Sequence, residues 1–496
     1  MSGLMLGLFV AILAGTVVSN ALPRIVAELN GSQSIFAWIV TTELLAMTAT
    51  VPLWGKLADL YSRKLLIQAS LGLFVAGSLI AGFSQNVEML IVSRVVQGLG
   101  AGGVTALATI VMAAMIPPRE LGRYSGLFGA VFGVGTVAGP LIGGVLVDTS
   151  WLGWRWCFFI GIPFSLTAIW LLQRTLHLPV VRKEDTKIDF LGAFLIVSGV
   201  STLLIWSSLA GDKFEWWSGW TAGLVALGVL LLVAAVRVEA TAHDPIVPLS
   251  IFRNRTVALT VVASALVGVA MFGSTVFLSQ YFQLSLGKTP TQAGLLGLPV
   301  ILGMLISSTA AGQLITKYGR WKAYLVSGGV VMVGGMLLLS TITAGSTVFM
   351  LSVDMFVLGV GVGLLMQNLV LVAQNDVPAR DLGATTSALT FFRSLGGAIG
   401  VSALGAVLAS EVSSLATEKF GPTGGSGEAK VPDLSVLPPE IKAVIADIYA
   451  TATSELFLVG APFAALALLA VLFIEEKPLK EQSGDDRLAA EMAAGH

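Results

Sequence analysis

GKLADLYSRK, residues 55–64, returns as GQLITKYGRW at residues 312–321. A shift of 257 lays Gly55 on Gly312, Leu57 on Leu314, Tyr61 on Tyr318 and Arg63 on Arg320. The same shift carries Gly139 and Gly143 of AGPLIGG onto Gly396 and Gly400 of LGGAIG. A shift of 261 lays Gly98, Gly100 and Gly102 over Gly359, Gly361 and Gly363, the four-residue difference falling to loop length. Self-similarity over such a distance means that one structural unit occurs twice in the chain.

Composition says what kind of unit it is. The 496 residues are 55% hydrophobic and only 11% charged, with a mean hydropathy of +0.87, whereas soluble domains carry about 25% charge. The expected fold is an all-α polytopic membrane protein, because a segment of about 20 apolar residues suffices to cross a hydrocarbon core about 30 Å thick. About fourteen such segments can be placed, beginning with 3–22, which ends in SNALPRIV without a cleavage pattern and reads as a retained first span. An even number puts both termini on one side. Most of the 28 Lys and Arg fall in the segments on that side, which identifies it as cytoplasmic.

The copies lie on the same side of the membrane, so they are parallel repeats. The expected organisation is an N-terminal six-helix bundle over 1–175, linkers and two additional helices over 176–250, a C-terminal six-helix bundle over 251–480, and a cytoplasmic tail over 481–496. The hydrophilic stretch 411–452 is expected outside as a loop, with GPTGGSG at its centre; LPPEIKAVIADIYA within it reads either as a short surface helix or as a partly ordered tether. Two similar bundles facing each other across a cleft can rock to open it to either side, which is a transporter's geometry.

Charge and residue usage also count against other classes. The net charge of −1 carries no nucleic-acid signature, and the single Cys157 and three scattered histidines offer neither a disulfide framework nor a metal site. No phosphate-binding GxxxxGK[ST] segment and no Ser/His/Asp constellation stands out, so neither ATP-driven transport by this chain nor an intramembrane enzyme is expected, and no cofactor is implied.

Several stretches resemble the major facilitator superfamily, in particular its fourteen-helix drug:proton antiporters. GKLADLYSRK is similar to the signature between spans two and three, with Asp59, Arg63 and Lys64 at its charged positions and Ser62 in place of its usual second glycine. LIVSRVVQGLGAG resembles the fourth-span signature, and GTVAGPLIGG the fifth-span antiporter signature. WRWCFFIGIP, PLSIFRNR and QLSLGKTPTQAGLLGLP are similar to further segments of that branch, and the resemblance runs from Thr16 to about Ala461. It implies secondary active export: proton-coupled antiport of hydrophobic, often cationic drugs or toxic compounds by alternating access, by a functional monomer in a bacterial plasma membrane. A dedicated exporter of a lipid, siderophore or biosynthetic product is the alternative, and proton-coupled nutrient uptake a more distant one. Gating positions are expected at Gly55, Asp59, Arg63, Gly139, Pro140 and Gly143 of the signature segments, and at Arg393 near the seam. There are two departures. Ala14 and Gly15 stand where relatives often carry a first-span aspartate, and Glu43 stands where they commonly carry an aromatic.

Four ionisable residues fall well inside the expected spans: Glu43, Arg94, Asp354 and Arg393. At 1.5 Å per residue, Glu43 lies about 12 Å below the outer end of its helix, Arg94 about 9–10 Å and Asp354 about 11 Å, while Arg393 enters about 14 Å from the other side. By the resemblance, Arg94 and Asp354 face the central cavity from opposite halves, and Glu43 and Arg393 lie near the seam. A carboxylate that meets an arginine in one conformation and not in another changes its proton affinity between the two. Glu43 and Asp354 are therefore the expected proton-responsive groups, with Arg94 as the switching counter-charge; the alternative is a static pair that fixes packing. The expected substrate lining is Gln97, Phe132, Met271, Phe272, Phe277, Gln280, Met366, Gln367 and Phe391, an aromatic and thioether surface able to repack around varied apolar molecules.

Overall fold

The computed structural model describes residues 2–29, 33–116, 127, 131, 133–136, 138–139, 141–147, 149, 152–176, 189–209, 214, 218–242, 245, 249–420 and 438–480. Among the described residues, fourteen helical segments of ten or more residues follow in order. They are α1 (Ser2–Glu28), α2 (Gln33–Leu60), α3 (Arg63–Gly82), α4 (Val87–Met115), α5 (Gly133–Val147), α6 (Trp156–Thr175), α7 (Phe190–Leu209), α8 (Gly219–Thr241), α9 (Arg255–Leu284), α10 (Leu298–Tyr318), α11 (Lys322–Leu339), α12 (Val348–Asn375), α13 (Leu382–Phe420) and α14 (Pro439–Leu472). Ten helices among the described residues are long and apolar enough to cross a membrane, and none of the described residues forms a β-strand. The protein is a polytopic membrane protein. The end of the bundle that carries the α2–α3 turn is called basal below, and the opposite end apical.

Local chemistry sets the helix ends. Asn86 starts α4 by accepting a hydrogen bond from the Met89 amide at 2.8 Å, and Asn254 does the same for α9 from Thr256 at 2.9 Å. Gly319 stops α10 in the left-handed region, at φ 69°, a conformation that suits a residue without Cβ. Ser62 occupies the matching place in the first copy of the repeat and turns the chain with φ −55°. The two basal turns thus reach the same result by different backbone routes.

The repeat is visible as packing. In the first half α2 and α3 lie against α4, α1 and α3 against α6, and α1 against α4. In the second half α10 and α11 lie against α12, α9 and α11 against α14, and α9 against α12. The glycines at the 261-residue shift make the equivalent contacts. A Cβ at Gly98 would fall 2.5 Å from the Glu43 carbonyl oxygen, and one at Gly359 would strike the carbonyl of Val300, which the 257-residue shift places on Glu43. Gly102 and Gly363 approach the carbonyls of Met47 and Met304, again matched by 257. Such backbone proximity between helices is what small residues permit in lipid, where apolar side chains gain nothing by leaving one greasy environment for another.

The cores follow the same division with one exception. One buried cluster draws on Ile251 to Ile474, while the other three lie between Leu4 and Val200 apart from Phe391 and Ala398 of α13. Helix α13 therefore contributes to the core of the opposite half. It packs on α2 and α4 as well as on α9, and the Ser387 side chain fills the space beside Gly55. On the other side of the seam, Ile301 and Thr291 reach Gly133 and Gly144 of α5. Helices α7 and α8 pair with each other through Gly199 against Leu232 and Gly228 against Leu203, and α7 also touches α2 and α13.

The expectation of an extended loop over 411–452 is corrected in part. Helix α13 runs on to Phe420 and α14 begins at Pro439, with Pro438 and Pro439 pre-set for a helix start and Lys419 paired to Asp447 between the two helices. PPEIKAVIADIYA, from Pro438, thus caps and forms the leading turns of a long helix, while 421–437, including GPTGGSG, lies outside the described residues. Among the other expected features, Phe132, Pro140 and the 481–496 tail also lie outside them, as does the side chain of Asp59.

Candidate functional site

Helix α4 brings Arg94 into the interior of the first half, where it is only 1% exposed. Its guanidinium forms an ion pair with Glu43 of α2, donates from Nη1 to Gln97 Oε1 at 2.8 Å, and donates from Nε to the Ile39 carbonyl at 3.3 Å. Gln97 passes the chain on, donating to Ser78 Oγ of α3 at 2.8 Å. The Phe158 ring of α6 covers the guanidinium at 5.9 Å. One side chain thereby ties α2, α3, α4 and α6 together. Three neutral partners and a carboxylate give the cation what water would otherwise supply.

This placement revises the expected geometry. Arg94 was expected to face a central cavity opposite Asp354, but every recorded partner of Arg94 belongs to the first half. Asp354 is buried in α12 at 4% exposure. Gln97, expected to line the substrate path, is 1% exposed and saturated by Arg94 and Ser78.

The other candidates divide by position. Gly55 meets Ser387 across the seam; Gly139 and Gly143 meet Thr16 and Val17 of α1. Arg63 opens α3 at the basal end. Met271 and Phe277 belong to the core of the second half, where Met366 and Phe272 pack against it, and Phe391 belongs to the core of the first. Gln280 is half-buried. Gln367 lines a narrow cleft between α4 and α12 with Thr109, Met112, Asn368, Val370, Leu371 and Gln374. This cleft lies between the halves, and the reading of single residues missed Asn368. Its signal was present as the amide pair Gln367–Asn368 inside an apolar run.

A strap closes the basal end of the second half. After α14, Glu476 accepts from the amides of Trp321 and Lys322, at 3.0 and 3.2 Å, and Lys477 pairs with Asp376 at 2.7 Å. The Lys480 amide donates to Asn375 Oδ1 at 2.8 Å. Burial pushes the Asp376 carboxyl up, but hydrogen bonds from Lys477, Thr256 and Asn254, with the Lys477 charge, outweigh it and hold the group below the usual aspartate range.

An all-helical membrane protein whose halves pack in the same pairwise order around a cleft has the architecture of a transporter. Residues 4–401 match the family model of the Major Facilitator Superfamily, and the chain belongs to that family. It is 36% identical over 490 residues to an uncharacterised MFS-type transporter of Mycobacterium tuberculosis (strain ATCC 25618 / H37Rv), covering 98% of this chain and 70% of that protein. It is 32% identical over 524 residues to the multidrug transporter protein MdtP of Bacillus subtilis (strain 168), covering 99% of this chain and 96% of the relative. The solved structure of the human organic anion transporter MFSD10 superposes with a TM-score of 0.60 at 15% identity, covering 93% of this chain and 98% of the other, a likeness of fold. The protein is a transporter of small molecules, not an enzyme.

Proposed function

We propose that this chain is a secondary active exporter that exchanges protons for hydrophobic, often cationic drugs or toxic compounds by alternating access. The observation that carries the reading is the twofold repetition of packing, with the glycine contacts of Gly98 and Gly359 matched residue by residue and a cleft between the halves. The names of two relatives, the multidrug transporter MdtP and Multidrug resistance protein 3 of Bacillus subtilis (strain 168), support drug-like cargo. In this reading 1–175 and 251–480 are the rocking bundles, 176–250 holds the two additional helices, the basal end is cytoplasmic with both termini, and the protein works as a monomer in a bacterial plasma membrane.

Glu43 and Asp354 are the proposed proton-responsive groups, and Arg94 the counter-charge released when Glu43 is protonated. Confinement of the Arg94 network to one half favours a second reading for the pair, in which it braces that half and Asp354 carries the proton alone. Proteoliposomes with an imposed pH gradient separate these. Ethidium is expected to be driven only when the gradient is present; Asp354→Asn is expected to abolish coupling in both readings, and Glu43→Gln only in the first. Wild-type coupled transport by both variants removes both assignments, and ethidium flux indifferent to the gradient removes proton antiport.

A further inference from the structure

Arg393 is the intramembrane charge that the architecture leaves unanswered. It lies within α13, the helix shared by both halves, and its half-buried side chain has no recorded acceptor among the described residues; the enclosed Nη1 has no hydrogen-bond partner at all. An arginine at the centre of a span is costly, and such residues almost always find a carboxylate, a carbonyl or a water-filled cavity. Arg94 has four partners for one guanidinium; Arg393 has none among the described residues.

Depth along the helices explains the lack of a carboxylate. Gln374 Nε2 donates to Thr386 Oγ1 at 2.8 Å, which fixes the register of α12 against α13. Counting outward from that bond, Arg393 is level with Gln367 and Asn368, and Asp354 lies roughly 20 Å further toward the apical end. The contact of Gly55 with Ser387 gives a second register, by which Glu43 sits roughly 9 Å apical of Arg393. Glu43 is in any case engaged by Arg94. No acid of the described spans is in reach.

What does share the depth of Arg393 is the cleft between α4 and α12, both of which touch α13. Asn368 lines that cleft at 1% exposure with its Oδ1 unpartnered, its Nδ2 being spent on the Leu364 carbonyl at 2.7 Å. An idle guanidinium fork and an idle amide acceptor therefore occur at one level of the seam between the halves. A planar fork of this kind matches a carboxylate in two parallel hydrogen bonds.

We propose that Arg393 is a subsite for the carboxylate of amphiphilic cargo, with Asn368 accepting from a donor on the same molecule. The proposal rests on the exporter reading in that the ligand is a cargo, and it widens the substrate class from cationic amphiphiles to anionic and zwitterionic ones. Phe391 and Phe392, packed edge to face with centroids 5.1 Å apart, supply apolar surface on the same helix turn.

The test is equilibrium binding with no proton gradient, so it can fail or succeed independently of ethidium antiport. Purified protein in phosphatidylcholine nanodiscs, free of anionic lipid, is titrated with 1-pyrenebutyrate, 1-pyrenebutanol and a pyrenebutyl trimethylammonium salt. Energy transfer from tryptophan is read above empty nanodiscs. Wild type is expected to bind the carboxylate at least about tenfold more tightly than the alcohol, the scale of a bidentate charged pair. Arg393→Gln is expected to erase that preference while leaving alcohol binding and the unfolding temperature in place, and Arg393→Lys to retain part of it. Adding phosphatidylglycerol to the nanodiscs tests a lipid phosphate as the natural occupant: weakened pyrenebutyrate binding there would overturn the assignment to cargo. The proposal is also overturned if wild type shows no preference, if Arg393→Gln keeps it, or if that variant weakens all three probes equally. The wild-type comparison alone decides should the glutamine variant fail to fold.

Discussion

Replacing Arg94 by methionine leaves Glu43 as a buried carboxylate whose one recorded partner is gone. Breaking a buried pair from one side costs roughly 3–5 kcal/mol, because the remaining charge keeps its desolvation penalty and loses its compensation. The same substitution strands Gln97 Oε1, an acceptor worth roughly 1–3 kcal/mol when left unsatisfied, while the Ile39 carbonyl keeps its bond within α2. Glu43→Met removes only the acid, so it is expected to be the milder variant, though still above about 2 kcal/mol. The double variant Glu43→Met/Arg94→Met buries no charge, and is expected to recover at least about 2 kcal/mol relative to the sum of the single changes. Unfolding of the four proteins in mixed micelles, titrated with dodecyl sulfate and followed by circular dichroism, measures the cycle. The reasoning is refuted if Arg94→Met costs less than about 1 kcal/mol, or if the double variant is as damaged as the two singles added together.

Two further outcomes follow from packing and charge. A methyl at Gly100 would fall 2.5 Å from the Phe74 amide nitrogen and 2.6 Å from the Ser70 carbonyl oxygen, so Gly100→Ala is expected to lose roughly 1–3 kcal/mol by forcing α3 off α4; Gly72→Ala, with nothing within 4 Å, is expected to be neutral or slightly stabilising in the same titration. Because the carboxyl of Asp376 is depressed, its stabilisation of the basal strap is present above the unfolded aspartate range near pH ~4 and is lost as pH falls through the lower folded value. Hydrogen exchange at Lys480 is expected to speed up on acidification in wild type, and to show a weaker pH dependence in Lys477→Gln, where only the Thr256 and Asn254 hydrogen bonds remain.

Much of the fold could be read from the chain alone, for a physical reason. Lipid permits few solutions for the backbone, so hydrophobic length and the 257-residue repeat lead to helices in two similar sets, and the matched contacts of Gly98 and Gly359 follow from that repeat. The site was less legible. The rise per residue gives depth, which is why Glu43 and Arg94 could be placed at one level, and they do form a pair. Depth says nothing about which way a side chain points around its helix. Polar faces normally supply that angle, and α12 is apolar nearly all round. The side-chain partners of Asp354 and Gln97 could therefore not be read from their positions, and Gln97, expected to line the substrate path, is held by Arg94 and Ser78. The stretch 411–452 misled in part for a different reason: its hydrophilic composition was read as a loop holding at most a short surface helix, when a long helix continuing past the membrane surface has the same composition.

Helix α13 gives the halves a common beam, with Phe391 and Ala398 seated among the side chains of the first half while its backbone lies against α9 of the second. Any motion that parts α13 from α2 and α4 uncovers the Phe391 ring, and wetting a side chain of that size costs roughly 1.5–3 kcal/mol. A greasy cargo entering the gap would take the place of the lost neighbours and cancel that penalty. The molecule to be moved would then lubricate its own passage: an empty carrier would meet a barrier at this joint that a loaded one would not, and idle cycling would be restrained by the shape of one shared helix.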